Sequence, residues 1–317
     1  MTAAPAQVSV VIPTLRRPAE LERALRSVFA QTGVQGRLAS IVIADNDPAA
    51  SAEATVQRLR AESPVALIYR HVPRPGVATA RNAALAETDA PLIAFLDDDE
   101  AASPGWLAAL IEAQAQTGAD AVFGPIQGRA ADAKPWLRPY LERFFGREGP
   151  ATTSLIDRAF GCGNSLMVRA VALPGPAPFD VSADQSGGED DALFAALAQR
   201  GGRFGWAADA WVDEFAPAHR ATLPYALARA FAYGQGPSQT AAKARDWPAV
   251  ARWMGVGAAQ AVVFGTGALG LTLILSPRRA DLLDRAARGV GKLFWMKGLE
   301  PHFYGARELA RLEAKRA

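Results

Sequence analysis

The sequence predicts an α/β fold built on a doubly wound, mostly parallel sheet. Three observations carry this. Short, near-continuous apolar runs recur in the first 125 residues: VSVVI at 8–12, SIVIA at 40–44 and LIAFL at 92–96. Helical spacing of apolar residues follows the runs. The runs also end in polar clusters instead of alternating on, the pattern of strands covered on both faces by crossover helices.

Taken in order, Val8–Ile12 is a β-branched strand expected to stop at Pro13. Pro18 suits the first position of a helix, and Leu21, Leu25, Val28 and Phe29 repeat at helical spacing up to Gln31. Residues 40–44 form the second strand, ended by Asp45-Asn46-Asp47-Pro48; a helix over 51–62 and a third strand over 65–69 follow. An alanine-rich helix is expected over 76–86, the fourth strand over 92–96, a helix over 104–116 and a strand from 121. Residues 127–160 are less periodic. Beyond them come a strand over 165–168, a Pro- and Gly-rich loop over 173–188, a helix over 189–200, a strand over 210–215 and a helix over 223–233.

Composition narrows the class. Half of the 317 residues are hydrophobic, enough for a real core, which excludes a disordered or collagen-like chain. A net charge of +2 is too balanced for a general nucleic-acid binder. One cysteine, Cys162, excludes an internal disulfide framework and a cysteine-cluster zinc site. With three histidines far apart (His71, His219, His302), any metal chemistry must rest mainly on carboxylates. Residues 1–200 carry a net of −5 and residues 201–317 a net of +7, an acidic body and a basic tail that hints at an anionic partner. Met1–Gln7 has no basic residue and does not read as a signal peptide, so the body is expected in the cytoplasm.

Open α/β sheets bind ligands beyond the carboxyl ends of their strands, and three strand ends here carry polar groups. The run Asp97-Asp98-Asp99-Glu100 is the strongest signal. Four adjacent carboxylates at a buried strand end repel one another unless a cation neutralises them. Asp97 and Asp99, two apart, point the same way in extended chain, and hard oxygens suit Mg²⁺ or Mn²⁺ held together with a phosphate group. A solvated acidic turn is the plainer alternative. Gly76–Asn82 opens a helix with a glycine and carries Arg81, a weak anion-binding signal on its own. Glu189-Asp190-Asp191 begins a helix after Gly187-Gly188. One acid there satisfies the helix dipole; three exceed that need and include a candidate general base.

The tail has 23 uncharged residues from Trp253 to Leu275, followed by a basic amphipathic stretch with Arg278, Arg279, Arg285, Arg288, Lys292 and Lys297. Gly265–Gly270 matches G-x-G-x-x-G, but the context of a dinucleotide site is missing because Pro277 cuts the segment short. These glycines are expected as packing or turn positions in a membrane-associated segment. Basic residues flank the segment on both sides, so a re-entrant or in-plane element bent at Gly265 and Gly267 is expected rather than a span.

These motifs together resemble the family 2 inverting glycosyltransferases with the nucleotide-diphospho-sugar transferase (GT-A) fold. VSVVIPTLRRPAELERALRSVFAQT, IVIADND, GVATARNAAL, FLDDDE, GCGNSLMVR and GGEDDALFAAL resemble that family's successive elements over residues 7–236. The details are nearest to the succinoglycan-type (ExoM-like) exopolysaccharide glycosyltransferases, with a weaker echo in PHFYG at 301–305. The resemblance implies that Pro13, Thr14, Arg16, Asp45, Arg81, Asp97 and Asp98 bind the nucleotide sugar. It implies Asp97 and Asp99 as the metal pair for Mg²⁺ or Mn²⁺, Asp99 the more direct ligand. It implies Asp190 as the base, with Glu189 supporting the acceptor or donor sugar. The processive Q-x-x-R-W element is absent, so a single addition is expected. Where related chains often carry histidine, this one has Asp213-Glu214.

The expectation is a catalytic domain over 1–236 and a helical, membrane-associating tail over 237–317. The enzyme would move a hexose from a UDP-sugar to a saccharide on a polyprenyl diphosphate, at the cytoplasmic face of the inner membrane, with no nucleic-acid partner. The competing readings are a sugar-phosphate nucleotidyltransferase, which would want a glycine-rich loop after the first strand, and a non-catalytic nucleotide-sugar-binding protein.

Overall fold

The computed structural model describes residues 7–185, 187–296, 298–299 and 301. The elements are β1 (Val8–Thr14), α1 (Pro18–Phe29), β2 (Leu38–Asp45), α2 (Glu53–Leu59), β3 (Ala66–His71), α3 (Val77–Leu85), β4 (Leu92–Phe95), β5 (Glu100–Ala102), α4 (Trp106–Thr117), β6 (Ala121–Phe123), β7 (Ile126–Arg129), α5 (Arg138–Phe145), β8 (Ser154–Ile156), β9 (Ser165–Val168), α6 (Arg169–Ala172), α7 (Glu189–Gln199), β10 (Phe204–Trp206), β11 (Val212–Phe215), α8 (Leu223–Lys243), α9 (Trp247–Leu273) and α10 (Arg279–Leu293). Short 3₁₀ turns cover Arg60–Glu62 and Val181–Gln185. The chain forms two compact units. Among the described residues, one comprises 7–127 and 147–214, the other 128–146 and 215–301.

The first unit is the expected doubly wound sheet. Its strand order is β3-β2-β1-β4-β9-β6-β10-β8. The β1–β2, β2–β3, β1–β4 and β6–β10 pairs are parallel. Residues alternate between faces along each strand. Val8, Val10, Ile12, Ile41 and Ile43 pack with Leu21 and Leu25 of α1 and Leu107 and Leu110 of α4. Val11, Val42, Ile93 and Phe95 pack on the opposite side with Ala78 and Ala84 of α3 and Leu193 and Phe194 of α7. Each such buried Val, Leu, Ile or Phe side chain contributes about 1.5–3 kcal/mol. That is why three apolar runs suffice to define the sheet.

The structure adds to and corrects the sequence reading in several details. Within this mostly parallel sheet, β9 enters antiparallel between β4 and β6, and β8 pairs antiparallel with β10. β1 does not stop at Pro13: Pro13 and Thr14 stay in register with Ala44 and Asp45. Pairing with β4 has already ended at Val11, which gives the proline the edge position it tolerates. Glu100 begins β5, which pairs antiparallel with β11, so the acidic run is split between a turn and a strand. β10 was not legible, since Phe-Gly-Trp is too short to show a period.

The second unit contains α5 and the helices α8, α9 and α10. The expected boundary at 236/237 falls inside α8. The bend expected at Gly265 and Gly267 does not occur, because α9 runs unbroken for 27 residues. An interior glycine costs only about 1 kcal/mol against alanine, less than the surrounding apolar helix and its packing supply. Of the two, Gly267 does serve close packing, since a Cβ there would lie 3.0 Å from Leu282 Cδ1 of α10, and tighter approaches lie elsewhere. A Cβ at Gly257 would come within 2.6 Å of the Gly289 carbonyl oxygen of α10, and one at Gly234 within 2.2 Å of the Arg288 carbonyl oxygen. The chain reverses at Ser276-Pro277, and α10 packs along both α9 and α8. On its other side α10 is tied to α5. Asp284 accepts from the Tyr140 hydroxyl at 3.0 Å, Arg143 pairs with Asp281 at 2.7 Å, and Arg279 lies 3.9 Å above the Trp136 ring. Lys297 and the 302–305 part of the PHFYG segment lie outside the described residues.

Candidate active site

The site is assembled at the strand ends of the first unit. β1 delivers Thr14, whose hydroxyl donates to Asp98 Oδ2 at 2.8 Å. The turn after it brings Arg17 Nη1 to 2.8 Å from Asp98 Oδ1 and 2.7 Å from Asp99 Oδ2. Asp98 and Asp99 are both buried. Burial, with Asp99 beside it, pushes the Asp98 carboxyl up to about 6 although Arg17 and Thr14 pull it down. Burial likewise opposes the charge on Arg17, and the two aspartates more than offset it, so its pKa is raised. Pro13 lies half-buried in the strand before them.

Between Thr14 and Arg17, Arg16 adopts a left-handed backbone (φ +59°) and its Nε donates to Asp47 at 3.1 Å. Asp45, at the end of β2, is fully buried with both oxygens engaged. Oδ1 accepts from the Asp47 amide at 3.1 Å; Oδ2 accepts from the Ala52 amide at 2.8 Å and the Tyr69 hydroxyl at 2.9 Å. Asp45 therefore shapes the loop that carries Asp47 and, through it, holds Arg16. Asn46 ties the same loop forward. Its amide donates to the Val72 and Arg74 carbonyls, and its carbonyl accepts from the Gly76 amide at 2.5 Å.

Gly76 opens α3 as expected, but a carboxylate of the chain already caps that helix. Asp184 accepts from the Thr79 amide at 3.2 Å and the Thr79 hydroxyl at 2.5 Å. A Cβ at residue 76 would lie 2.1 Å from Asp184 Cγ, so this approach requires glycine. One turn on, Arg81 is buried, donates to Glu189 and lies 3.6 Å from Asp97. It joins the acidic turn after β4 to the start of α7.

Asp97 keeps its carboxylate about two-fifths exposed (38%). Its amide donates to Glu100 at 2.9 Å. Glu100 is buried, and burial together with Asp97 and Glu214 raises its carboxyl well above the usual range. Gly163 makes room for Asp97, since a Cβ there would sit 2.5 Å from Asp97 Oδ2. The three acids at the head of α7 differ. Glu189 is buried on Arg81, and burial raises its carboxyl while Arg81 lowers it. Asp190 is partly exposed; its Oδ2 accepts from the Cys162 amide at 3.2 Å and its Oδ1 from the Asp191 amide at 2.9 Å. Asp191 is exposed.

The Gly161–Asn164 loop that borders Asp97 and Asp190 has its own support. Arg147 donates to the carbonyls of Gly124, Gly161, Gly163 and Asn164 at 2.6–3.1 Å. Asn164 accepts from the Trp106 indole at 2.7 Å and donates to the Pro125 and Ala210 carbonyls. The site thus collects an acidic turn, a partly exposed carboxylate at a helix start and a loop pinned beside both.

Residues 9–173 match Glycosyl transferase family 2. Over 304 residues the chain is 33% identical to the succinoglycan biosynthesis protein ExoM of Rhizobium meliloti (strain 1021), covering 95% of this chain and 97% of that protein. The chain belongs to glycosyl transferase family 2. The structure of the mannosyltransferase PcManGT from Pyrobaculum calidifontis, in complex with GDP-Man and Mn²⁺, is similar to it at TM-score 0.58 and 19% identity, over 93% of this chain and 89% of that one. The crystal structure of S. aureus TarS aligns at TM-score 0.49 and 15% identity over 72% of this chain, which spans 39% of that protein's length.

In this family 2 glycosyltransferase the residues singled out from sequence are brought together in one unit. Asp97, Asp98 and Asp99 meet Thr14 and Arg17, and Arg81 meets Glu189. Asp45 and Arg16 are linked through Asp47. The sequence reading did not single out Arg17, Asp184, Arg147 or Asn164 as parts of the site. For Arg17 a signal was present, since it sits beside Arg16 in the polar turn after β1. For the other three, partners lie 14 to 105 residues away or on backbone carbonyls, which no local pattern encodes.

Among the described residues no group of three or more His, Cys, Asp or Glu side chains is arranged to hold a metal ion. The donor chemistry nonetheless fits a hard cation. Asp97 and Asp99 offer carboxylate oxygens only, Asp97 has one face in solvent, and Gly163 leaves the space beside it clear.

Proposed function

We propose that this glycosyltransferase is a single-addition, inverting hexosyltransferase of exopolysaccharide synthesis, using a UDP-hexose donor and a lipid-linked saccharide acceptor. The observation that carries the reading is the Arg81 bridge, which joins the acidic turn at Asp97 to the Glu189-Asp190 helix start. Asp97 and Asp99 would hold Mg²⁺ or Mn²⁺, which when bound supplies neutralising charge to the leaving diphosphate. Oxygens of that diphosphate and water would complete the shell, as is usual for these ions. Pro13, Thr14, Arg16, Asp45, Arg81 and Asp98 would shape the nucleotide pocket.

Asp190 is the base in this reading. Each of its oxygens accepts one backbone hydrogen bond, which fixes its direction and leaves a lone pair on each for an acceptor hydroxyl. Glu189 supports it by holding Arg81. The acceptor oxygen, relieved of its proton, attacks the anomeric carbon opposite the departing diphosphate and inverts it. The relative ExoM, named for succinoglycan biosynthesis, supports the polysaccharide context.

The membrane-facing part would be α9. By length and composition it could cross a membrane, with a mean hydropathy of 1.5 and only 11% of its most apolar window buried. Val262, Val263, Leu269 and Leu273 are 62–86% exposed. A span would draw α10 into lipid as well, with Asp281, Asp284 and Arg288 on it, at about 2.5–3.5 kcal/mol for each central charge. An in-plane helix on an anionic leaflet, at the cytoplasmic face of the inner membrane, avoids that cost. The test is UDP release and product mass spectrometry with membranes fed a panel of nucleotide sugars. Release from a UDP-hexose with a lipid-linked product is expected; turnover only with another nucleotide would overturn the donor assignment.

A further inference from the structure

Arg17 lies against the proposed metal ligand. One Nη1 atom lies 2.7 Å from Asp99 Oδ2 and 2.8 Å from Asp98 Oδ1. Both carboxylates are buried and the guanidinium side chain is 23% exposed. Guanidinium keeps its charge at any physiological pH, so it is a fixed cation where a second cation would have to bind. Arg17 is the residue before α1, makes no capping hydrogen bond with its side chain, and precedes Pro18.

We propose that Arg17 is the resident counter-cation of the Asp98–Asp99 pair, so that a divalent ion binds tightly only together with a nucleotide diphosphate. The diphosphate gives the guanidinium another anion to pair with, bidentately, and Asp99 is then released to the metal. Metal and donor binding would be coupled through this one side chain, and the free enzyme would hold metal only weakly. This rests on the reading of Asp99 as a metal ligand. It adds a positioning residue and an order of assembly that neither the family match nor the acidic motif supplies.

The proposal is tested by Mn²⁺ binding followed by electron paramagnetic resonance, with and without UDP, on the full chain. Wild type should bind Mn²⁺ weakly alone and tightly with UDP. Arg17→Met should bind Mn²⁺ alone about ten- to a thousandfold more tightly than wild type, the range over which one adjacent charge moves a carboxylate's proton affinity. Its melting temperature should also rise on adding Mn²⁺ without nucleotide, where that of wild type does not. Arg17→Lys keeps the charge and should behave more like wild type, which separates the charge effect from a folding defect. Equal Mn²⁺ affinity of wild type and Arg17→Met without UDP would overturn the proposal while leaving the metal site intact. No Mn²⁺ bound to either protein, even with UDP, would overturn both the proposal and the metal reading.

Discussion

Arg81 and Glu189 form a buried ion pair across 108 residues of sequence. Arg81 rises from the second turn of α3 and Glu189 is the first residue of α7, and the same guanidinium also reaches toward Asp97. The pair therefore sets the distance between the turn assigned to the donor and the helix assigned to the acceptor.

Replacing Arg81 with Met should leave Glu189 as an uncompensated buried charge, at a cost of about 3–5 kcal/mol. Thermal unfolding should show this as a clear fall in melting temperature with transfer lost. Replacing Glu189 with Gln should also destabilise the protein, because it leaves the buried Arg81 guanidinium, which cannot shed its charge, with the longer contact to Asp97. An Arg81→Met protein as stable as wild type would remove the bridge from the argument.

Asp190→Asn should retain nucleotide binding and lose about 10²–10⁴-fold in kcat, the usual worth of a general base. Asp191→Asn should remain near wild type, since Asp191 is exposed. Steady-state kinetics with calorimetric nucleotide titration decide it; the reverse pattern would move the base by one residue.

Asp99→Ala should abolish transfer, and EDTA should do the same to wild type, with activity restored by Mg²⁺ or Mn²⁺. Full turnover in EDTA without added metal would rule out the role given to Asp97 and Asp99.

Co-sedimentation with vesicles should show α9 binding anionic bilayers. Val262→Glu with Leu269→Glu should weaken it, because both side chains are exposed on the apolar face. A C-terminal reporter should remain cytoplasmic. A periplasmic signal would favour a span.

Glu22 makes a pH-dependent contribution of predictable sign. Hydrogen bonds from Arg58 and Arg26 lower its carboxyl to about 2. A depressed acid stabilises the fold above its unfolded pKa and loses that contribution as pH falls toward the folded value. Wild type should therefore approach Glu22→Gln in melting temperature between about pH 4.5 and 2, with the two differing most near neutrality. A difference that does not change with pH would show that these surface pairs do not matter.

What the sequence determined by itself is what local pattern encodes. VSVVI, SIVIA and LIAFL had to be buried strands, because no other placement hides so many branched side chains, and the acids after LIAFL had to lie at a strand end. Four acids at one strand end were enough to point to the site. The tertiary structure decided what depends on partners distant in the chain. It assigned Arg17 to Asp98 and Asp99, Asp45 to its own loop, and Asp184 to the start of α3. It inserted Ser165–Val168 antiparallel into the sheet, and it ran α9 straight through Gly265 and Gly267. A charged or polar side chain shows its chemistry in sequence but not its partner, since that pairing is set by which strand ends and helix starts the packed core brings within hydrogen-bond reach.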